Sequence, residues 1–293
     1  MTTLHKQLAR YAQECQRLDA DQWRLTLSNG FSLAVSARRD EDFLLLDADT
    51  GVSPSMERLV ALAERAQELP TAVKFALRRG SSAIRLRGEF PLPEENGAAA
   101  HRIQEHLDGM RNASHQFRDW TSSEAAGDGM ASPEPDSNGQ AIAESLVEVL
   151  REAGWKYHER PGGALLADLE TGSQFLQAEI GHCGAGARFR VTLYRDDATG
   201  DAAEQALCLY LLEANAALRY ARAFLRRDGE GLSAGFEVRV ESEPSAAEAS
   251  HALAALSVAG RQCAREIEVL KDGSVAGIYR SARPPFQHQS KGA

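Results

Sequence analysis

Ala72-Val-Lys-Phe-Ala-Leu-Arg-Arg79 and Leu218-Arg-Tyr-Ala-Arg-Ala-Phe-Leu-Arg-Arg227 are two versions of one passage, in the two halves of a 293-residue chain. Each ends in paired arginines and turns, through Gly80-Ser-Ser or Asp228-Gly-Glu-Gly231, into an alternating strand. That strand is Ile84-Arg-Leu-Arg-Gly-Glu-Phe90 in the first half and Phe236-Glu-Val-Arg-Val240 in the second. Both strands stop near a proline, Pro91 or Pro244, and lead into an apolar stripe at helical spacing. The stripe is Ile103, Leu107, Met110 and Phe117 in one half. In the other it is Leu253, Leu256, Gly260, Cys263, Ile267 and Leu270. Ser245-Ala-Ala-Glu248 has the form of a capping box at the start of the second stripe.

The match extends upstream. A helix over Ser55–Leu69 precedes the first hairpin, with Met56, Leu59, Leu62 and Ala66 on one face. Its counterpart opens at Asp201-Ala-Ala-Glu204, also a capping-box pattern, and runs through Leu207, Tyr210, Leu211 and Ala214. Before these lie three strands in each half: Trp23–Leu27, Phe31–Ala37 and Phe43–Asp49, then about Ala164–Glu170, Phe175–His182 and Ala187–Arg195. Phe31, Leu33 and Val35 alternate with Ser32, Ala34 and Ser36, the signature of a sheet with one buried face. Asn29-Gly30 is a tight-hairpin signal. An amphipathic helix opens each half, with Leu4, Leu8, Tyr11, Cys15 and Leu18 in the first and Ile142, Leu146, Val149 and Ala153 in the second.

Each half therefore reads helix, three strands, helix, two strands, helix. The expected fold is α+β, with two tandem domains at 1–120 and 140–280, each an antiparallel sheet packed with helices. Residues 121–139, rich in Ser, Gly, Pro and acid, read as a flexible linker, and 281–293 as a mobile tail. This order resembles the class I type III secretion chaperones and the related YbjN-like domains, over about 4–119 and 140–280. The resemblance implies a bacterial, cytoplasmic, non-enzymatic protein that holds an extended segment of a partner protein. Members of that superfamily pair between chains. Two tethered copies here imply an internal pseudo-dimer or a homodimer.

Physical reasoning reaches a similar place without the name. An open sheet has edge strands with unpaired N–H and C=O groups, to which an extended peptide can add. Two such surfaces in one chain would raise the effective concentration for a partner held at two points. The competing reading is that the two domains bury these surfaces against each other.

The net charge of −9 is spread unevenly, with −1 over residues 1–120 and −4 each over 121–139 and 140–293. An acidic chain is poorly suited to nucleic-acid binding, where phosphate neutralisation supplies most of the affinity. No run of about 18 apolar residues marks a membrane span, and the N-terminus has no apolar signal core. The four cysteines, Cys15, Cys183, Cys208 and Cys263, lack paired metal-ligand spacing and read as buried thiols in a reducing cytoplasm. No cofactor or metal is expected, and no catalytic residue is assigned.

One cluster stands out. With Val73, Phe75 and Leu77 facing inward, Lys74 and Arg78 project outward, and Arg85 and Arg87 share that side of the next strand. These four cations would suit an acidic peptide or a phosphate-bearing ligand. The competing and more ordinary reading is a solvated face balanced by Glu89 or Glu57. In the second half the outward positions Glu237, Arg239 and Glu241 alternate in sign, which confines the expected anion site to the first. This gives the alternative function, a regulatory ligand-sensing module; an enzyme of unknown type is the third.

The remaining candidates fail on geometry. His101 and His106 are five apart, which places them on different helix faces. His182 and Cys183 are neighbours in a strand and point to opposite sides. Asp40-Glu-Asp42, Asp47 and Asp49 lack the fixed steps of a calcium loop.

Overall fold

A computed structural model describes residues 3–28, 30–38, 43–69, 73–91, 98–122, 139–160, 164–172, 175–197, 199–229 and 231–283. These form two compact units, one running to Ser122 and the other from Gly139 to Arg283. In the first unit, helix α1 (Thr3–Tyr11) precedes strands β1 (Glu14–Asp19), β2 (Gln22–Thr26), β3 (Ser32–Arg38) and β4 (Phe43–Asp49). Helix α2 (Met56–Arg65), strands β5 (Val73–Leu77) and β6 (Ile84–Pro91), and helix α3 (Ala98–Ser122) complete it.

The second unit repeats the order. Helix α4 (Gly139–Glu152) leads to β7 (Tyr157–Glu159), β8 (Leu165–Glu170), β9 (Phe175–Cys183) and β10 (Gly186–Asp196). Helix α5 (Asp201–Ala217), the β11 (Arg222–Asp228) and β12 (Gly231–Val240) hairpin, α6 (Ala246–Val269) and α7 (Gly273–Ser281) follow.

Both sheets are antiparallel and six-stranded, with one topology. The first runs β1-β2-β3-β4-β6-β5 and the second β7-β8-β9-β10-β12-β11. The expected fold class is thus the observed one, with a fourth strand opening each sheet. In the first unit that strand occupies what the sequence assigns to the end of a helix. Chain reversal after Tyr11 places Cys15 and Leu18 on β1, where Leu18 is 48% exposed.

One face of each sheet is packed by helices. In the first unit Trp23, Leu25, Leu33, Val35, Leu44, Leu46, Phe75 and Leu86 are buried, with α3 laid against β5 and β6. Ile103, Leu107, Met110 and Phe117, the expected stripe, are buried on α3. Gly88 permits the close approach, since a Cβ there would stand 3.0 Å from Met110 Sδ. In the second unit α6 lies across β8, β10 and β12, burying Leu253, Leu256, Cys263 and Ile267 against Phe189, Val191 and Phe236.

The caps divide. Ser245 and Glu248 form the expected capping box on α6, with each side chain accepting from the other's backbone N–H. The Asp201–Glu204 pattern does not form one: Gly200 is the N-cap of α5, and Glu204 is buried and ion-paired with Arg227. Residues 281–283, expected to open the tail, are among the described residues. Ser281 ends α7, and Arg283 donates two hydrogen bonds to Glu213 on α5, at 2.7 and 2.9 Å. Residues 284–293 and 123–138, hence nearly all of the expected linker, lie outside the described residues, as do Asn29 and Asp40–Asp42.

Candidate functional site

The sheet face away from the helices carries the charged chemistry in both units. On β4, β5 and β6, cross-strand pairing sets Asp47 beside Arg87 and Arg87 beside Lys74. Lys74 was expected outward and solvated. It does leave the helix side, but it is only 4% exposed, with Nζ 2.8 Å from Glu89 Oε2. Burial pulls its pKa down to about 8, with Glu89 acting against the shift. Arg87 Nε donates to the other Glu89 oxygen at 2.6 Å, and Arg85 Nε to Asp47 at 2.7 Å. Arg78 lies beyond the end of β5, exposed in the turn. So three of the four expected cations share a face, each beside a carboxylate, and the fourth is apart from them.

The same positions in the second unit are filled with different charges. On β11, β12 and β10, pairing sets Arg222 beside Glu237 and Glu237 beside Arg190. Arg188 stands opposite Arg239 in the adjoining row. Where the first unit has Lys74, Arg87, Asp47 and Glu89, the second has Arg222, Glu237, Arg190 and Arg239.

Glu237 is wholly buried at the centre of this group. Arg190 Nη2 reaches its Oε2 at 2.6 Å, Arg222 Nη2 its Oε1 at 2.9 Å and Arg239 Nε its Oε1 at 2.9 Å. Burial alone would raise the Glu237 carboxyl, but Arg222, Arg239 and Arg190 overcome it and hold the pKa at about 2. The Arg190 guanidinium also lies 4.3 Å over the Phe224 ring, a cation–π contact that favours a planar cation.

This group is not legible in the sequence, because its arginines come from three strands. Alternation within β12 alone shows Glu237 and Arg239 with opposite signs. It does not show that Arg188, Arg190 and Arg222 stand beside them. The pairing of Arg188-Phe-Arg190 with the final strand is the signal available.

Residues 143–268 match the model of the YbjN family, described as "Putative bacterial sensory transduction regulator". The match runs from α4 to near the end of α6 and lies wholly in the second unit. No curated protein and no solved structure matches the chain.

Two other places bring chemically capable residues together. A cavity of about 310 Å³ beneath the β9–β10 turn is lined by Ser145, His182, Glu243 and Pro244 among others. Its residue types are those of a hydrolytic triad, but the His182 Nε2 is buried without a hydrogen-bond partner among the described residues. A nucleophile must be hydrogen-bonded to its base, and that link is missing here. In the first unit Cys15 Sγ lies 3.7 Å from His5 Nδ1. Burial raises the Cys15 pKa, which disfavours the reactive thiolate. Among the described residues no cluster of three metal-ligating side chains forms, and no helix is long and apolar enough to cross a membrane.

Proposed function

We propose that this chain is a non-enzymatic regulatory adaptor, which takes an extended segment of a partner protein onto the open edge of a sheet. The observation that carries the reading is the state of β1. It pairs with β2 on one side only, and every residue but Cys15 is exposed along Glu14–Asp19. Such an edge offers a row of backbone donors and acceptors to an added strand. The opposite edges are closed. All five residues of β5 are buried, and on β11 the Ala223 N–H donates to Asn215 Oδ1 of α5 at 2.7 Å. The regulator family matched by the second unit supports a signalling role, and the expected chaperone-like order supports segment capture.

The test is affinity capture by the full chain from extracts of its source cell, followed by mapping of the bound segment. Binding is then measured for Gln16→Pro and Arg17→Pro. Of two adjacent strand residues, one N–H points toward β2 and the other outward. The proline at the outward position should release the segment while the protein stays folded, judged by circular dichroism. A chain that elutes alone at several salt concentrations, or folded variants that all keep wild-type affinity, would sink the proposal.

A further inference from the structure

The polar face of the second sheet contains one row that stands out by its charge. Gly181 on β9, Arg188 on β10 and Arg239 on β12 lie side by side in register. Two guanidinium groups directly opposite each other on neighbouring strands repel. Arg239 leans along its strand to Glu237. The Arg188 side chain, half-buried, makes no hydrogen bond or ion pair with a described residue. On its other side Gly181 leaves room, because a Cβ built there meets nothing within 4 Å.

The next row holds Arg190, Arg222 and Glu237, with the exposed Glu179 paired to Arg190 across β9 and β10. Together the two rows place four guanidinium groups against two carboxylates. Burial lowers the Arg188 pKa, with Arg190 and Arg239 pushing in the same direction and Glu237 acting against them.

We propose that Arg188 and Arg239, over the open space at Gly181, bind a phosphate group. Planar guanidinium forks match the oxygen geometry of phosphate and can each donate two parallel hydrogen bonds. A dianion answers the formal excess of the two rows, where a carboxylate would answer half. This site is on a sheet face and stands independently of segment capture at β1.

Calorimetric titration of the full chain tests it, with inorganic phosphate, glycerol 2-phosphate and acetate at ionic strength matched by sodium chloride. Phosphate should bind saturably at one site, and acetate at least tenfold more weakly. Arg188→Gln should lose tenfold or more in affinity. Because that change removes a like-charge pair, it should melt no lower than wild type in phosphate-free buffer. Gly181→Val keeps every arginine and fills the space beside Arg188, so it too should lose tenfold. If the monoester binds as well as free phosphate, the site takes a phosphorylated small molecule; binding of free phosphate alone assigns it to the inorganic ion. The proposal is overturned by absence of saturable binding, by acetate binding as tightly as phosphate, or by Gly181→Val keeping wild-type affinity.

Discussion

Glu237 shows how a single side chain can decide a face. Its two oxygens engage Arg190, Arg222 and Arg239 with no exposed surface of their own. Removing one member of a buried ionic group leaves the others uncompensated, at a cost of about 3–5 kcal/mol. Glu237→Gln should therefore lower the unfolding free energy of the second unit, read from urea melts, by that order. The pH dependence has a fixed sign. The folded pKa, near 2, lies below the unfolded carboxyl value of 4.5, so this stabilisation is complete above about pH 5 and is lost as pH falls toward 2. A shift of that size corresponds to about 3 kcal/mol. Urea melts between pH 7 and 3 should show a loss in wild type that Glu237→Gln lacks; parallel curves would contradict the assignment.

Lys74 makes the matching point about legibility. Alternation along Val73–Leu77 correctly put it on the side away from Phe75. Outward from one layer is not the same as exposed, however. Its ion-pair partner, Glu89, is fifteen positions away on another strand, and only strand register brings the two together.

At the scale of elements, the paired capping-box patterns give a clean contrast. Ser245 caps α6 in fact, so Ser245→Ala should cost about 1 kcal/mol. Asp201 lies inside α5 rather than at its cap, so Asp201→Ala should change the unfolding free energy by no more than about 0.5 kcal/mol. Equal losses would show that the Gly200 assignment is wrong. The motif is the same in both places; Arg227, from a hairpin later in the chain, draws Glu204 away from the helix start. Two elements escaped the sequence reading for opposite reasons. Strand β1 is exposed and so has no buried alternation to detect, and its apolar residues continue the helical spacing of α1. Helix α7 contains Gly273 and Gly277, residues that weaken a helical pattern. It is held by contacts from α5: Tyr279 donates to Glu213, and Arg283 both binds Glu213 and lies 3.8 Å over the Tyr279 ring. Glu213→Ala should therefore speed amide exchange across Gly273–Ser281 while α5 keeps its protection. Unchanged exchange would mean that apolar packing of Tyr210 on Tyr279 suffices.

At the scale of the molecule, two sheets share one topology and one asymmetry, a closed edge at β5 or β11 and an open one at β1 or β7. The repeat was legible because core positions recur at the same spacing in both halves, whereas the asymmetry was not, since it depends on what packs beside each edge. The open edges differ in how they are guarded. Strand β7 has three residues, too few for a long added strand, while β1 has six and relies on polar side chains. Charged and polar residues on an exposed edge oppose pairing between copies. Glu14→Val with Gln16→Val removes that guard and leaves intact the bonds by which Arg17 and Asp19 hold the following turn. Light scattering should then show a rise in mass with concentration relative to wild type. The control is Arg24→Val with Thr26→Val, the direct cross-strand partners of the same two residues on β2. Those changes add equal apolar area to the same face of an interior strand. If the two pairs associate equally, the face is sticky and the edge has no special part. Association of the β1 pair alone shows that the outer backbone of β1 is free to accept a strand, which segment capture requires. If neither pair associates, that edge is closed, and adaptor function at β1 fails with it.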